Sequence, residues 1–170
     1  MRTLVLGLGN PILSDDGVGP RVAAEVRSRI NGLPDVTVLE ASTAGLDSLD
    51  LLSGYDKVVL IDAIQTDKGK AGQVYRLDAE ALVVSRHVST PHDVNLATAL
   101  ELGKRLGMPL PRTIVIYAVE VEDVTTFSER CTPEVAQSIP VVAKMVVEEL
   151  LGEGDSQDVP NADFGETAWR

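Results

Sequence analysis

The sequence predicts an α/β protein: a three-layer sandwich with a mostly parallel, twisted five-stranded sheet between helices. Short apolar runs of strand length alternate with segments whose apolar residues recur every three or four positions, as in helices. The 170 residues suffice for one domain with its own core. We expect that domain over residues 1–151. A flexible acidic tail follows over 152–170, where few residues could be buried.

Five apolar runs are the predicted strands, and turn-forming residues or carboxylates bound most of them. They cover residues 4–8, 36–39, 58–61, 74–77 and 113–119. The run 4–8 shows no alternation, which is typical of a strand buried on both faces, whereas 74–77 is expected nearer an edge. These strands supply the central layer.

Helices are predicted after four of these strands, from apolar residues on one stripe. The first begins at Val18 and the second covers 46–52. The third starts behind Asp93 as its N-cap and continues to about residue 106. The last has Thr132 as N-cap, Pro133 at its first position and a bend expected at Pro140. These helices supply the outer layers.

Composition excludes several classes of partner. The net charge is −11 and the isoelectric point is near 4.5, so phosphates of nucleic acid and anionic membranes would be repelled. No apolar run is long enough to span a bilayer. The single cysteine, Cys131, cannot form an internal disulfide. We expect a soluble, cytoplasmic protein.

The first twenty residues organise the candidate site. The first strand is broken at Gly7, Gly9 and Pro11, and two adjacent carboxylates, Asp15 and Asp16, precede the first helix. Crevices at the carboxyl ends of strands are the usual sites in open α/β sheets. Either Asp could instead serve as a helix cap or a partner of the helix dipole, the interpretation we favour for Asp15.

Two further residues could reach the same crevice. Asp62 follows the apolar run 58–61, and His92 stands at the head of a predicted helix. Together with Asp15 or Asp16 they form a donor set for nickel or zinc, or an acid–base set for hydrolysis. On position alone, Asp62 could be structural and His92 an exposed loop residue. His87 is favoured as a solvated loop residue.

Other catalytic signatures are absent or weak. No Gly-x-Ser-x-Gly motif and no phosphate-binding Gly-Lys-Ser/Thr occurs. The dinucleotide fingerprint fails because Ile12 occupies the place of its third glycine. Cys131 precedes a helix amino terminus, where a thiolate can be stabilised, but we favour a packing role for it.

The chain resembles the maturation endopeptidases of nickel–iron hydrogenases. The resemblance begins with Gly-Leu-Gly-Asn-Pro-Ile-Leu-Ser-Asp-Asp-Gly-Val-Gly at 7–19. It continues through Thr-Ala-Gly at 43–45, Val-Leu-Ile-Asp-Ala at 59–63 and Ser-Thr-Pro-His at 89–92. It ends with Val-Glu-Val-Glu-Asp at 119–123 and Thr-Pro-Glu-Val at 132–135. The motifs follow the family's order, and the resemblance covers about residues 1–150.

The resemblance implies a phosphorylase/hydrolase-like fold and removal of a C-terminal extension from the hydrogenase large-subunit precursor once nickel has been inserted. The implied metal-contacting and catalytic residues are Asp16, Asp62 and His92, and the nickel belongs to the substrate. Some members carry Glu where Asp16 stands. Glu40, where relatives often carry Asp, is a secondary candidate for orienting substrate or water. A monomer suits docking on a large subunit.

Three rival interpretations stay open at this point. A peptidyl-tRNA hydrolase shares a similar opening loop, but residues 12–20 contain no histidine and the charge disfavours RNA. A non-catalytic nickel chaperone would use the same three residues. A flavodoxin-like binding domain would leave the Asp-Asp-Gly and Pro-His motifs unexplained.

Overall fold

A computed structural model of the chain describes residues 1–42, 46–78 and 96–152. Within these ranges five strands form one sheet, in the order β2-β1-β3-β5-β4. The strands are β1 (Thr3–Leu8), β2 (Val36–Ala41), β3 (Lys57–Ile64), β4 (Val74–Asp78) and β5 (Thr113–Glu120). All neighbours are parallel except β4, which pairs antiparallel with β5 at the edge. The predicted mostly parallel five-stranded sheet is confirmed, with 74–77 at its edge.

Four α-helices accompany the sheet in the described ranges. They are α1 (Val18–Arg29), α2 (Leu46–Leu52), α3 (Leu96–Arg105) and α4 (Pro133–Leu151). A 3-10 turn, Ser14–Gly17, joins the loop after β1 to α1. Helix α4 continues through Pro140 to Leu151. The helices follow the strands as the sequence predicted.

Two hydrophobic clusters, one on each face of the sheet, make the three layers. Valines of α1 and α4 pack against Val5 and Val59 on one face. Leu52 of α2 and Leu96 of α3 belong to the cluster on the opposite face. Because β1 is buried on both sides, its residues from Leu4 onward alternate between the two faces without a polar position, which explains the continuous apolar run. The predicted three-layer sandwich is confirmed.

Some boundaries differ from the sequence prediction. Strand β3 continues past Asp62 to Ile64 because β5 pairs with it up to Glu120. Helix α3 ends at Arg105, and Leu106, predicted to lie on its buried stripe, is 67% exposed. Asp93 and residues 153–170 lie outside the described residues, so that cap and the flexible tail stay predictions. No described helix combines the length and apolar character needed to cross a membrane.

Candidate active site

The candidate site lies at the carboxyl ends of β1 and β3. These strands are parallel neighbours, with Gly7 opposite Ile61. The chain leaves β1 toward β2 on one side and returns to β3 on the other, so the order of strands reverses between β1 and β3. Such a reversal opens a crevice in which open α/β sheets bind ligands. Asp16 follows one of these strands, and Asp62 lies near the end of the other.

Two glycines bring the start of α1 onto these strand ends. A Cβ atom on Gly19 would come within 2.6 Å of the Ile61 carbonyl oxygen and would overlap that of Leu8. A Cβ atom on Gly7 would meet the backbone of Gly19 from the other side. Only hydrogen at both positions lets helix and sheet approach so closely. The segment that carries Asp16 is therefore seated directly above both strands.

Asp16 is fully buried in the 3-10 turn. Its Oδ2 accepts a hydrogen bond from the backbone N–H of Asn10 at 2.8 Å. Gly9 has a φ of +138°, and a Cβ atom there would overlap the Asp16 carbonyl oxygen. The glycine thus allows the loop to fold back over the carboxylate. The loop after β1 is built around Asp16, whose side chain is fixed before any ligand arrives.

Asp15 has a different, structural role. Its Oδ1 accepts hydrogen bonds from the Thr132 N–H at 2.7 Å and the Thr132 hydroxyl at 3.0 Å. Its Oδ2 accepts from the N–H groups of Glu122 and Asp123 at 3.1 and 3.0 Å. The side chain is fully buried. Asp15 therefore ties the loop after β1 to the segment that precedes α4.

The bonds of Asp15 correct one prediction about Thr132. This residue does occupy the N-cap position of α4, but its side chain makes no capping hydrogen bond. Its hydroxyl donates to Asp15 instead. The structural interpretation of Asp15 is supported, although its described partners lie before α4 and not in α1. The Thr132 hydroxyl thus contributes a long-range bond to Asp15 and no bond to the first turn of α4.

Asp62 lies inside β3, opposite Ala118 of β5 and one residue beyond the last pair that β3 forms with β1. The sequence placed it at the strand's end. It is partly exposed, and its Oδ1 accepts a hydrogen bond from the Ala63 N–H at 2.8 Å. Leu60 and Ile64, two positions away on either side, join the cluster that contains α2 and α3. By strand alternation Asp62 faces that same side.

His92, the third predicted ligand, lies outside the described residues, as does His87. Helix α3 begins four residues after His92, on the face of the sheet toward which Asp62 points. Among the residues that the structure describes, no three His, Cys, Asp or Glu side chains are grouped so that they could hold a metal ion. The described part of the site is a pair of carboxylates.

Two secondary candidates from the sequence have structural explanations. The Glu40 carboxylate forms an ion pair with Arg27 at 2.9 Å on the surface. Burial raises the pKa of the Cys131 thiol, and its Sγ donates to the Ser14 carbonyl oxygen at 3.6 Å. A thiol kept neutral is a poor nucleophile. The packing role favoured for Cys131 is supported.

Sequence reasoning did not single out Glu120, a buried carboxylate at the end of β5. It accepts hydrogen bonds from the Thr66 N–H at 2.6 Å, the Thr66 hydroxyl at 3.0 Å and the Tyr75 hydroxyl at 3.2 Å. Burial, and then the nearby Glu120 charge, raise the pKa of Tyr75. The carboxylate holds the turn after β3. The sequence signal that could have identified Glu120 is a carboxylate at the end of an apolar run, the same signal that singled out Asp62.

Comparisons with known proteins point to one family. The sequence profile of HycI, described as hydrogenase maturation protease, matches residues 20–149. The Hydrogenase 2 maturation protease of Escherichia coli K12 is 32% identical over 121 residues, 70% of this chain and 73% of that protein. The hydrogenase expression/formation protein HupD of Bradyrhizobium diazoefficiens is 26% identical over 153 residues, 86% and 79% of the two chains.

A solved structure extends this similarity to the whole fold. The hydrogenase maturating endopeptidase HybD from Escherichia coli superposes with a TM-score of 0.79 at 28% sequence identity. The match covers 91% of this chain and 94% of that one. The fold described above therefore has a counterpart in that protein over nearly the whole length of both chains.

Proposed function

This chain belongs to the hydrogenase maturation protease family, and on that premise we propose that it removes the C-terminal extension of a nickel–iron hydrogenase large-subunit precursor after nickel insertion. Maturation proteases of this family are hydrolases that act on such precursors. The proposed reaction is hydrolysis of one peptide bond in a folded protein substrate.

The observation that carries the proposal is the pair of carboxylates at the reversal of strand order. Asp16 and Asp62 belong to segments 46 residues apart in the chain, yet Gly19 brings the first segment onto the end of the strand that holds the second. Asp16 lies in the 3-10 turn after β1 and Asp62 near the end of β3, and carboxylates suit a divalent cation or proton transfer. They match the donor types that the sequence singled out.

Nickel is part of the substrate in this proposal. Asp16, Asp62 and His92 contact nickel that the precursor already holds, because carboxylate and imidazole donors both bind divalent nickel. That contact places the scissile peptide against the crevice and so supplies orientation. A water, activated by one of the carboxylates or by the metal, attacks the scissile carbonyl. A precursor without nickel lacks the group that positions it and is left uncut.

The test is incubation with nickel-loaded and nickel-free precursor, read by intact mass. The proposal expects loss of a defined C-terminal peptide from the loaded precursor alone. Asp62→Ala and His92→Ala should abolish cleavage while circular dichroism shows an intact fold. Glu25→Ala is the matched control, since its carboxylate pairs with Arg29 within α1, and it should cleave normally.

The other outcomes are informative as well. Tight binding without a change of mass would identify a non-catalytic nickel chaperone. Cleavage of both precursors at equal rate would reject the role of nickel. Normal cleavage by both Asp62→Ala and His92→Ala would reject the assigned residues. Size-exclusion chromatography during the same experiment tests the proposed monomer.

A further inference from the structure

Two exposed apolar residues lie on joined loops next to Asp16. Phe127 is 83% exposed and Ile12 is 47% exposed. Their loops are joined by backbone hydrogen bonds: the Ser128 N–H donates to the Ile12 carbonyl at 3.0 Å, and the Ser14 N–H donates to the Ser128 carbonyl at 2.9 Å. These bonds hold the residue before Ser128 close to Ile12. Phe127 and Ile12 form what we call the apolar tip.

The apolar tip is held rigidly, although it is exposed. The Asp123 carboxylate accepts hydrogen bonds from the N–H groups of Thr125 at 3.1 Å and Thr126 at 2.9 Å. On the other side of Phe127, the Ser128 hydroxyl accepts from the Arg130 N–H at 3.0 Å. A backbone fixed on both sides of an aromatic residue loses little entropy on binding. This is the arrangement of an interface anchor.

The apolar tip itself is uncharged, and charged groups border it. Residues 9–14 and 124–128 contain no Asp, Glu, Lys or Arg. The Arg21 guanidinium donates to the Pro11 carbonyl at 3.2 Å, and Asp123, Glu129 and Arg130 flank the second loop. An apolar centre with a charged, polar rim is the usual composition of a protein–protein interface, so the tip suits an apolar patch on a folded protein.

The position of the apolar tip identifies the partner. Ile12 lies on the loop between Asn10 and Asp16, and the Asn10 N–H donates to the Asp16 carboxylate at 2.8 Å. The apolar tip therefore lies on the same loop that folds over the carboxylate to which a partner would bring its metal centre. We propose that the apolar tip is the docking surface for the hydrogenase large-subunit precursor, next to its nickel site. This inference rests on the proposed function and names a contact outside the metal-binding residues.

The experiment compares Phe127→Ala and Ile12→Ala with the unmodified protein, using the nickel-loaded precursor encoded in the same genome. Leu106→Ala is the matched control, because Leu106 is 67% exposed beside Leu102, near the amino ends of the strands. Cleavage is followed at several precursor concentrations, and the dissociation constant is measured with the same precursor. Thermal unfolding confirms that the variants stay folded.

We expect Phe127→Ala to raise both KM and the dissociation constant about tenfold, as loss of an aromatic anchor does, with kcat unchanged at saturation. Ile12→Ala should shift both in the same direction by a smaller factor, and Leu106→Ala should shift neither. Unchanged values for Phe127→Ala, or an equal change in Leu106→Ala, would overturn the docking role.

This design separates the two proposals. If the unmodified protein binds the precursor without cutting it, the proposed endopeptidase fails, while the dissociation constants still decide the docking role. If it cuts the precursor and Phe127→Ala does so with the same KM, the docking role fails alone. If the unmodified protein does not bind the precursor at all, both the docking role and the precursor as its partner are overturned.

Discussion

Replacing Asp15 by asparagine tests the hydrogen bonds that join the loop after β1 to the segment before α4. The Asp15 carboxylate accepts hydrogen bonds from three backbone N–H groups and one hydroxyl, all between residues 122 and 132. Asparagine keeps the size of the side chain but offers one carbonyl oxygen and one amide group. Three of the four neighbours are N–H groups, which cannot accept, so the amide nitrogen can pair only with the Thr132 hydroxyl.

The loss can be estimated from these contacts. In the better orientation of the Asp15→Asn side chain, the amide oxygen faces the N–H groups of Glu122 and Asp123, and the amide nitrogen faces the Thr132 N–H. One charge-assisted hydrogen bond disappears, and one buried N–H is left without an acceptor; together these lower the free energy of unfolding by about 3 kcal/mol. For a domain of this size the midpoint of thermal unfolding should fall by about 6–12 °C.

The assay is urea and thermal unfolding followed by circular dichroism. Glu40→Gln is the control, because it makes the same chemical change in a surface ion pair and should cost less than about 1 kcal/mol. If Asp15→Asn loses no more stability than Glu40→Gln, Asp15 does not hold the two segments together and this reasoning is refuted.

Three other predictions test separate parts of the structure. Gly19→Ala places a methyl group against the Ile61 carbonyl and should cost about 1–3 kcal/mol; an unchanged urea midpoint would contradict the close packing of α1. Burial, and then the Glu149 charge, raise the pKa of Tyr117 to about 12. The unfolded chain therefore releases the phenol proton first, and stability should fall as pH rises from about 10 to 12. Tyr117→Phe should reduce this loss of stability at high pH. A pH profile identical to that of the unmodified protein would contradict the prediction. Truncation after Gly152 should leave the melting temperature nearly unchanged, whereas a large drop would show that the tail packs on the domain.

Much of the fold could be predicted because the apolar pattern of each element is local. The continuous run of β1, the four-residue stripe of α1 and the alternation of strands with helices depend on neighbours in sequence. The proposed site rests on the same kind of pattern, since Asp16 and Asp62 are close to strand ends. A predicted mostly parallel sheet places such ends along one edge.

What could not be predicted depends on partners far along the chain. The Thr132 hydroxyl was expected to accept a capping hydrogen bond in α4, but it donates to a buried carboxylate 117 residues away and makes no capping bond. The length of β3 is set by pairing with β5, which the run 58–61 does not reveal. The exposed pair of Ile12 and Phe127 exists only because two loops are joined, and neither segment alone indicates it.

The hydrogen bonds of Asp15 also set an order of events during synthesis. Its acceptors are filled by residues 107 to 117 positions later, so the loop that carries Asp16 lacks these anchoring bonds until the segment before α4 has left the ribosome. Contacts this distant in sequence form late in folding. A nascent or truncated chain that lacks residue 132 can form the early strands, but its loop after β1 is not tied to the rest of the fold. If Asp16 acts as proposed, such a chain would be inert, and activity would appear only once the last segment has been made.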